Sequence, residues 1–400
     1  MPPQRPTLSR RLPWHQESNA LAAEIAARKA QSLTTIDLTE SNPTRVGLVY
    51  PEAELAEILH RSSAADYPPH PLGLPEAREA LAAALSQPGD QVGPDDLVLT
   101  ASTSEAYSYL FKLFADPGDE VLTAAPTYPL LDELASLDAL VLTHFQLEPG
   151  RRFALDAGEI ERSLSPRTKL LVLVHPANPT GTFLSRAEQD AVVELCASRG
   201  LPWISDEVFA DYELTKVPNR AGAAAARHET LSFSLGGLSK SAGLPGWKLG
   251  WIRVGGPAAE RCQIVAALER VADAYLSVST PVQRALGAVL ALAPVIRAAI
   301  LERLHQNLAA LEDGFRGLPA VEIYRPEGGW SAVLRVPQLA ADEALVLGAL
   351  RQAGVLVHPG YFFDFATDGY LVLSLLLEPA NFAEGMHGLA AYLGKLVAAA

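Results

Sequence analysis

The sequence predicts an α/β protein: a large unit built on a mainly parallel sheet flanked by helices, followed by a smaller α+β unit toward the C-terminus. Three observations predict it. Short apolar runs such as Leu97–Thr100, Lys169–Val174 and Leu201–Asp206 alternate with helical stretches, the rhythm of strands joined by helical crossovers. Lys169–Val174 is apolar almost without a break, as a strand buried on both faces is. A long helical stretch, Pro294 to Phe315, then leads into strands and helices that lack this rhythm.

Four hundred residues suffice for two or three domain-sized units. The expected division is 1–47 as an N-terminal arm and helix contributing to the small domain, 48–290 as the large domain and 291–400 as the small C-terminal domain. A net charge of -14 argues against a nucleic-acid partner, which needs a basic patch; the basic pairs Arg10-Arg11 and Arg151-Arg152 do not make one. Cys196 and Cys262 stand in helix-like stretches without metal-ligand spacing, so no metal is expected and a reducing compartment is. Met1 to Ser18 has no apolar segment of the signal-peptide kind, and the uncharged run Ala285 to Ile296 is shorter than the ~18 residues a membrane span needs. A cytoplasmic protein without a membrane partner is the expectation.

Taken in order, Glu17–Gln31 carries Leu21 and Ile25 at helical spacing. Ile36–Leu38 is a short strand, ended by the turn at Ser41-Asn42-Pro43. Glu52–Arg61 reads as a helix. Tyr67 to Pro75 is too rich in proline to be regular, and Pro75 opens a helix through Leu85. Leu97–Thr100 is a buried strand that enters a helix through Ser102-Thr103-Ser104-Glu105. Such a junction presents free backbone N–H groups at the positive end of the helix dipole, which suits a phosphate; simple N-capping accounts for the same residues. Glu120–Thr123 is a strand, and Tyr128 lies just past its C-terminal end, where an aromatic can stack on a flat ring.

Lys169–Val174 is a central strand followed by the turn His175-Pro176-Ala177-Asn178-Pro179-Thr180-Gly181. Ser185 with Glu188 forms a capping box for a helix to Arg199, which Gly200 stops. Leu201–Glu207 is the next strand, completing a βαβ unit, so the loops bearing Asn178 and Asp206 leave the same edge of the sheet. An acid at the end of a buried strand needs a partner.

Leu231–Leu235 is a strand feeding the stretch Gly236-Gly237-Leu238-Ser239-Lys240-Ser241-Ala242-Gly243. Small neighbours leave Lys240 poorly solvated and open to close approach, and burial makes a lysine amine nucleophilic by lowering its pKa. Trp251–Val254 is a strand; helices follow over Pro257–Tyr275, Pro281–Ala291 and Pro294–Phe315. Strands over Val321–Tyr324, Ser331–Val336, Val355–Val357 and Tyr370–Leu377, with helices over Asp342–Gln352 and Asn381–Val397, make the smaller unit.

From about Ser41 onward, these motifs together resemble the class I/II aminotransferases, fold-type I enzymes that use pyridoxal 5'-phosphate. The resemblance implies that Lys240 forms the Schiff base with the cofactor and that Asp206, the other catalytic residue, pairs with the pyridine nitrogen. It implies that Asn178 meets the ring oxygen, that Tyr128 stacks on the ring, and that Ser102, Thr103, Ser104, Ser239 and Lys248 hold the phosphate. Tyr67 would reach the phosphate of a partner subunit, implying a homodimer, and Ser41 and Arg45 would lie near the substrate.

Four positions depart from the family pattern. Phe209 stands where a tyrosine usually bonds the ring oxygen, leaving Tyr212 or water to supply that bond; Lys248 replaces an arginine, and Gly237 replaces a serine. In Tyr370-Leu371-Val372-Leu373-Ser374, Val372 takes the place of the arginine that clamps the substrate carboxylate. Either Arg45, Arg325 or Arg335 binds that carboxylate instead, or the substrate is an amine without one. Trp330, Tyr361, Phe362 and Phe363, with Val372, point to an apolar or aromatic substrate pocket. The implied activity is an aminotransferase moving an amino group between an amino acid or amine and a 2-oxo acid. A pyridoxal-phosphate lyase and a non-catalytic cofactor-binding regulator are the alternatives, separated from it by product analysis.

Overall fold

Seven strands form the main sheet of the computed structural model, which describes residues 7–14, 19–63 and 65–399. A two-residue strand, β1 (Ile36–Asp37), precedes them. The sheet itself comprises β2 (Leu97–Thr100), β3 (Glu120–Ala125), β4 (Val141–Gln146), β5 (Thr168–Val174), β6 (Trp203–Asp206), β7 (Ser232–Gly237) and β8 (Gly250–Gly255). Its order is β2-β8-β7-β6-β5-β3-β4. All pairs are parallel except those made by β8, which is antiparallel to both neighbours. The run Val141–Gln146 was not anticipated as a strand. It is the edge of the sheet, with only one neighbour, and it is much less buried than the central strands.

Burial on both faces explains the unbroken apolar runs. Along β5, Leu170 and Val172 pack on one side with Phe111, Ile204 and Phe233, while Leu171 and Leu173 pack on the other with Val192, Val193 and Trp203. The first side is covered by α4 (Thr103–Phe114) and α9 (Ala258–Asp273); α7 (Arg186–Arg199) lies on the second. The Ser185 capping box is present with both of its bonds, and Gly200 ends α7 in the left-handed conformation. The remaining helices before the second unit are α1 (Ala20–Ala30), α2 (Glu52–Ser62), α3 (Pro75–Leu85), α5 (Leu130–Leu137), α6 (Ala157–Ser163) and the single turn α8 (Leu238–Ser241). The expected first helix began at Glu17, outside the described residues; α1 is capped by Asn19.

Helix α10 (Thr280–Phe315) is continuous over 36 residues, where the sequence suggested two helices parted near Pro294. Pro294 stays inside because flanking Val289, Ala293 and Ile296 are buried, and that packing outweighs the one backbone bond a proline cannot make. Residue 290, the expected division between units, therefore lies within a helix. By length and composition α10 could cross a membrane. In the fold its apolar stripe, including Leu286, Ile300, Leu304, Leu308 and Leu311, is covered by α2, α3 and α12 (Pro379–Ala399).

Beyond α10 come β9 (Glu322–Tyr324), β10 (Ser331–Arg335), α11 (Asp342–Ala353), β11 (Val355–Leu356), β12 (His358–Pro359) and β13 (Tyr370–Ser374). Strands β12-β13-β10-β9 form an antiparallel sheet. The strand expected at Val355–Val357 is β11, one residue shorter, and it pairs in parallel with β1; β12, just beyond it, was not anticipated and pairs with β13. The β1–β11 pairing ties the N-terminal segment to this second unit, and it brings Thr39 and Ser41 over the end of the main sheet.

Candidate active site

A cavity of about 350 Å³ lies at the C-terminal ends of the parallel strands and is walled on its far side by the second sheet, the location at which open α/β sheets bind ligands. Tyr128 enters it after β3, Asn178 after β5, Asp206 at the end of β6, and Gly237, Ser239 and Lys240 after β7. Ser102 and Thr103 reach it from the start of α4. Ser331, His358, Val372 and Ser374 close it from the second sheet, with Trp330, Phe362 and Phe363 beside them.

Local structure sets each of these groups. Asp206 is held by the parallel pairing of Val174 with Asp206, and the His175 N–H donates to the Asp206 carbonyl at 2.8 Å. Its carboxylate accepts from the Val208 N–H at 3.2 Å and from the Tyr107 hydroxyl at 2.9 Å. Burial pushes this carboxyl above its ordinary range, against the pull of those two bonds and of Lys240. Burial also draws the Lys240 amine down to about 8, with Asp206 acting the other way. The Lys240 Nζ lies 4.7 Å from the centre of the Trp330 ring and 5.4 Å from that of Phe209. An acid and an amine that both lean toward neutrality at one cavity floor leave room for a bound cation to complete them.

The glycines before the lysine serve two different surfaces. A Cβ on Gly236 would lie 2.4 Å from the Trp251 ring, so this glycine makes room for a tryptophan packed beneath the strand. Gly237 faces the cavity, and a Cβ there would meet the backbone of Leu249 and Gly250 at 3.3 Å. The backbone thus runs close to whatever fills that end. Ser102 caps α4, its hydroxyl accepting from the Glu105 N–H at 3.2 Å, which leaves the first N–H groups of the helix pointing toward the same end.

Several nominated residues stand elsewhere. Ser104, Lys248, Tyr67, Arg45 and Tyr361 do not line the cavity. Lys248 is exposed in a left-handed backbone conformation that turns the chain after Trp247. Tyr67 is 60% exposed, and the Arg45 side chain is 72% exposed beside Glu40. Arg325 and Arg335 are also exposed and face Glu312 and Glu322. Tyr212 does not replace the hydroxyl that Phe209 lacks, because its own donates to the Lys240 carbonyl at 2.6 Å. Tyr107 and His358 were not singled out from sequence. Tyr107 gave no signal beyond its place on an apolar helix face; His358 is a polar residue interrupting the run Val355–Pro359.

The profile of the family described as "Aminotransferase class I and II" matches residues 34–386. The chain belongs to that family. Aspartate/prephenate aminotransferase of Thermus thermophilus is 28% identical over 330 residues, covering 81% of this chain and 83% of that protein. Alanine aminotransferase of Mycobacterium tuberculosis is 26% identical over 411 residues, covering 96% of each. Among solved structures, a Thermus thermophilus aspartate aminotransferase double mutant superposes with a TM-score of 0.83 at 25% identity, over 97% of this chain and all of that one. Pyrococcus furiosus alanine aminotransferase superposes with a TM-score of 0.85 at 22% identity, over 97% and 100%; at that identity the likeness speaks to the fold. This aminotransferase is a pyridoxal-phosphate enzyme of fold type I. The cavity fits that cofactor: a buried carboxylate for a ring cation, a lysine amine of lowered pKa for its carbonyl carbon, and hydroxyls at a helix N-terminus for its phosphate.

Proposed function

We propose that this aminotransferase works from the cavity at the strand ends, with Lys240 and Asp206 as its catalytic pair. The observation that carries the reading is that a buried acid and an amine of lowered pKa share one ligand-sized cavity. Asp206 would hold the cofactor's ring nitrogen, Asn178 its ring oxygen and Tyr128 its face. Thr103 and Ser239 would hold the phosphate together with the N-terminus of α4. Bound there, the cofactor supplies the electron sink that makes a hydrogen on the substrate's reacting carbon acidic. Lys240 would anchor the cofactor at its carbonyl carbon, and its Nζ, an amine that burial draws down to about 8, would be the group that takes up and returns a proton at the substrate's reacting carbon. Phe209 and Trp330 flank the amine. The substrates are an amino acid and a 2-oxo acid, the classes that amino transfer requires.

We further take residues 48–290 as the cofactor-binding unit and 291–400, joined by 1–47, as the unit that covers the substrate, with α10 passing between them. A homodimer is the assembly we favour, supported by exposed Val49, Tyr67 and Tyr275. A cytoplasmic location is supported by the two unpaired cysteines.

The test is Lys240→Ala, assayed for transfer between an amino acid and a 2-oxo acid and for the visible absorption of protein-held cofactor. The variant is expected to lose all turnover and the lysine-linked band. Retained turnover would end the proposal.

A further inference from the structure

Among the described residues, Asp206 and Lys240 are the only side chains of fixed charge that line the cavity. His358 adds none, because burial holds its imidazole below the ordinary pKa, opposed by Asp37. Every other polar group on the walls is neutral. A second carboxylate on the substrate would give up water there without meeting a compensating charge, which is costly.

One part of the wall is an apolar patch assembled from both units: Leu130 from the first, and Phe362, Phe363 and Val372 from the second. Local structure brings the four together. The Thr127 N–H donates to the Phe363 carbonyl at 3.0 Å, tying the segment that enters α5 to the loop after β12. Leu130, the first residue of α5, is three positions beyond Thr127. Across β12 and β13, His358 pairs with Val372. Its ring stacks on Phe362, with centroids 5.3 Å and planes 3° apart, and Phe363 meets its edge. Phe363 and Val372 are buried, whereas Leu130 is 45% and Phe362 51% exposed although both line the cavity. These two therefore stand at its mouth, one from each unit, with apolar surface left in water. Tyr128, two residues before Leu130, sets the patch beside the place read above as that of the cofactor ring.

We propose that Leu130, Phe362, Phe363 and Val372 form the subsite for the side chain of the amino-acid substrate, and that this side chain is bulky and apolar, of the leucine or phenylalanine class, bridging the mouth between Leu130 and Phe362. The proposal rests on the reading of the cavity given above and deepens it by naming the substrate class. A side chain of that size takes its own apolar surface and that of both rim residues out of water together. The methyl group of alanine covers little of the patch, and the side chain of aspartate sets an unpaired charge against it. An apolar subsite of this kind separates substrates by about tenfold or more for the groups it covers.

The experiment follows the visible absorption of cofactor-loaded wild type, Phe362→Ala and Leu130→Ala as phenylalanine, leucine, alanine and aspartate are added one at a time, each over a range of concentrations. Both positions are half-exposed, so neither substitution empties the interior. The wild type is expected to react with phenylalanine and leucine at least ~10-fold more efficiently than with alanine or aspartate. The ratio of phenylalanine to alanine efficiency should fall roughly tenfold in Phe362→Ala and roughly fivefold in Leu130→Ala, through weaker saturation by phenylalanine. Alanine or aspartate matching phenylalanine in the wild type overturns the proposal. A ratio within about twofold of wild type in either variant overturns it too. Failure of the underlying reading looks different: the wild type then takes up no pyridoxal phosphate, or holds it with an absorption that none of the four amino acids changes.

Discussion

Tyr107 donates its hydroxyl to Asp206 Oδ2 at 2.9 Å, from a helix on the face of the sheet to the end of a strand 99 residues later. Both groups are fully enclosed, and burial with the adjoining carboxylate pushes the Tyr107 phenol well above its ordinary pKa. The tyrosine is therefore a fixed donor, and its bond counters the burial that would protonate Asp206. Tyr107→Phe should let the carboxyl rise further and weaken its hold on a ring cation. A bond of this kind to a charged group contributes about 1.5–3 kcal/mol, so cofactor affinity should fall roughly ten- to a hundredfold. Fluorescence titration of the apo-protein with pyridoxal phosphate reads this directly, and affinity within twofold of wild type would refute it.

The environment of Lys240 makes a separate prediction about its amine. With burial drawing it to about 8 from an ordinary 10.5, the apo-protein should have half of this amine neutral near pH 8, when exposed lysines are almost wholly charged. Competitive acetylation followed by peptide mass spectrometry gives the pH dependence of each lysine. Lys240 should reach half its maximal labelling rate near pH 8, about two pH units below the ordinary lysine value. Curves that coincide would mean that the amine is solvated in solution.

Lys248 and Ser239 separate two accounts of phosphate binding. Lys248 is exposed and off the cavity, whereas Ser239 lines it. Lys248→Ala should leave the affinity for pyridoxal phosphate within about twofold, and Ser239→Ala should lower it by roughly tenfold through the loss of one charge-assisted bond. The opposite ranking would show that the turn after Trp247 rearranges when the phosphate binds.

Much of this architecture was legible in the residues because each signal had one local cause. Pro75 and Leu85 bound a helix where they were expected to, Ser185 and Glu188 form the capping box they spell, and the run Leu97–Thr100 is a strand with those limits. Asn178, Asp206 and Lys240 meet because crossover connections bring strand ends to one edge. What escaped was decided by packing between distant segments. Pro294 reads as a helix boundary and is overruled by the helices packed on both sides of it. Val355–Val357 reads as one strand, yet only Val355 and Leu356 pair, with β1, while His358 and Pro359 just beyond join the other sheet. Lys248 carries the right charge at a loosely matching position, yet the backbone direction there turns it outward. The Tyr107–Asp206 bond has no sequence signature, since nothing in the spacing tells which buried tyrosine will meet which buried acid.

His175 makes the last prediction, one about stability. Its ring is buried in the loop after β5, with Nδ1 accepting from the Leu184 N–H at 3.0 Å, and burial aided by Arg220 lowers its pKa from 6.5 to about 3. The unfolded chain therefore takes up a proton at this site below pH 6.5 that the folded chain refuses until about pH 3. Across that window the unfolded state binds more protons, so stability falls as pH falls, by about 1.4 kcal/mol per pH unit from this one group. Glu207, raised to about 7 by burial, acts with the opposite sign over part of the range, so the measurement must be a difference between proteins. In His175→Asn the amide oxygen can accept from Leu184 in place of Nδ1, and no titrating group remains. Urea unfolding at pH 7 and pH 5 should show wild type losing about 2 kcal/mol more than the variant between the two. Parallel losses would mean that the imidazole is protonated in the folded protein, with a solvated ring in place of the buried acceptor for Leu184.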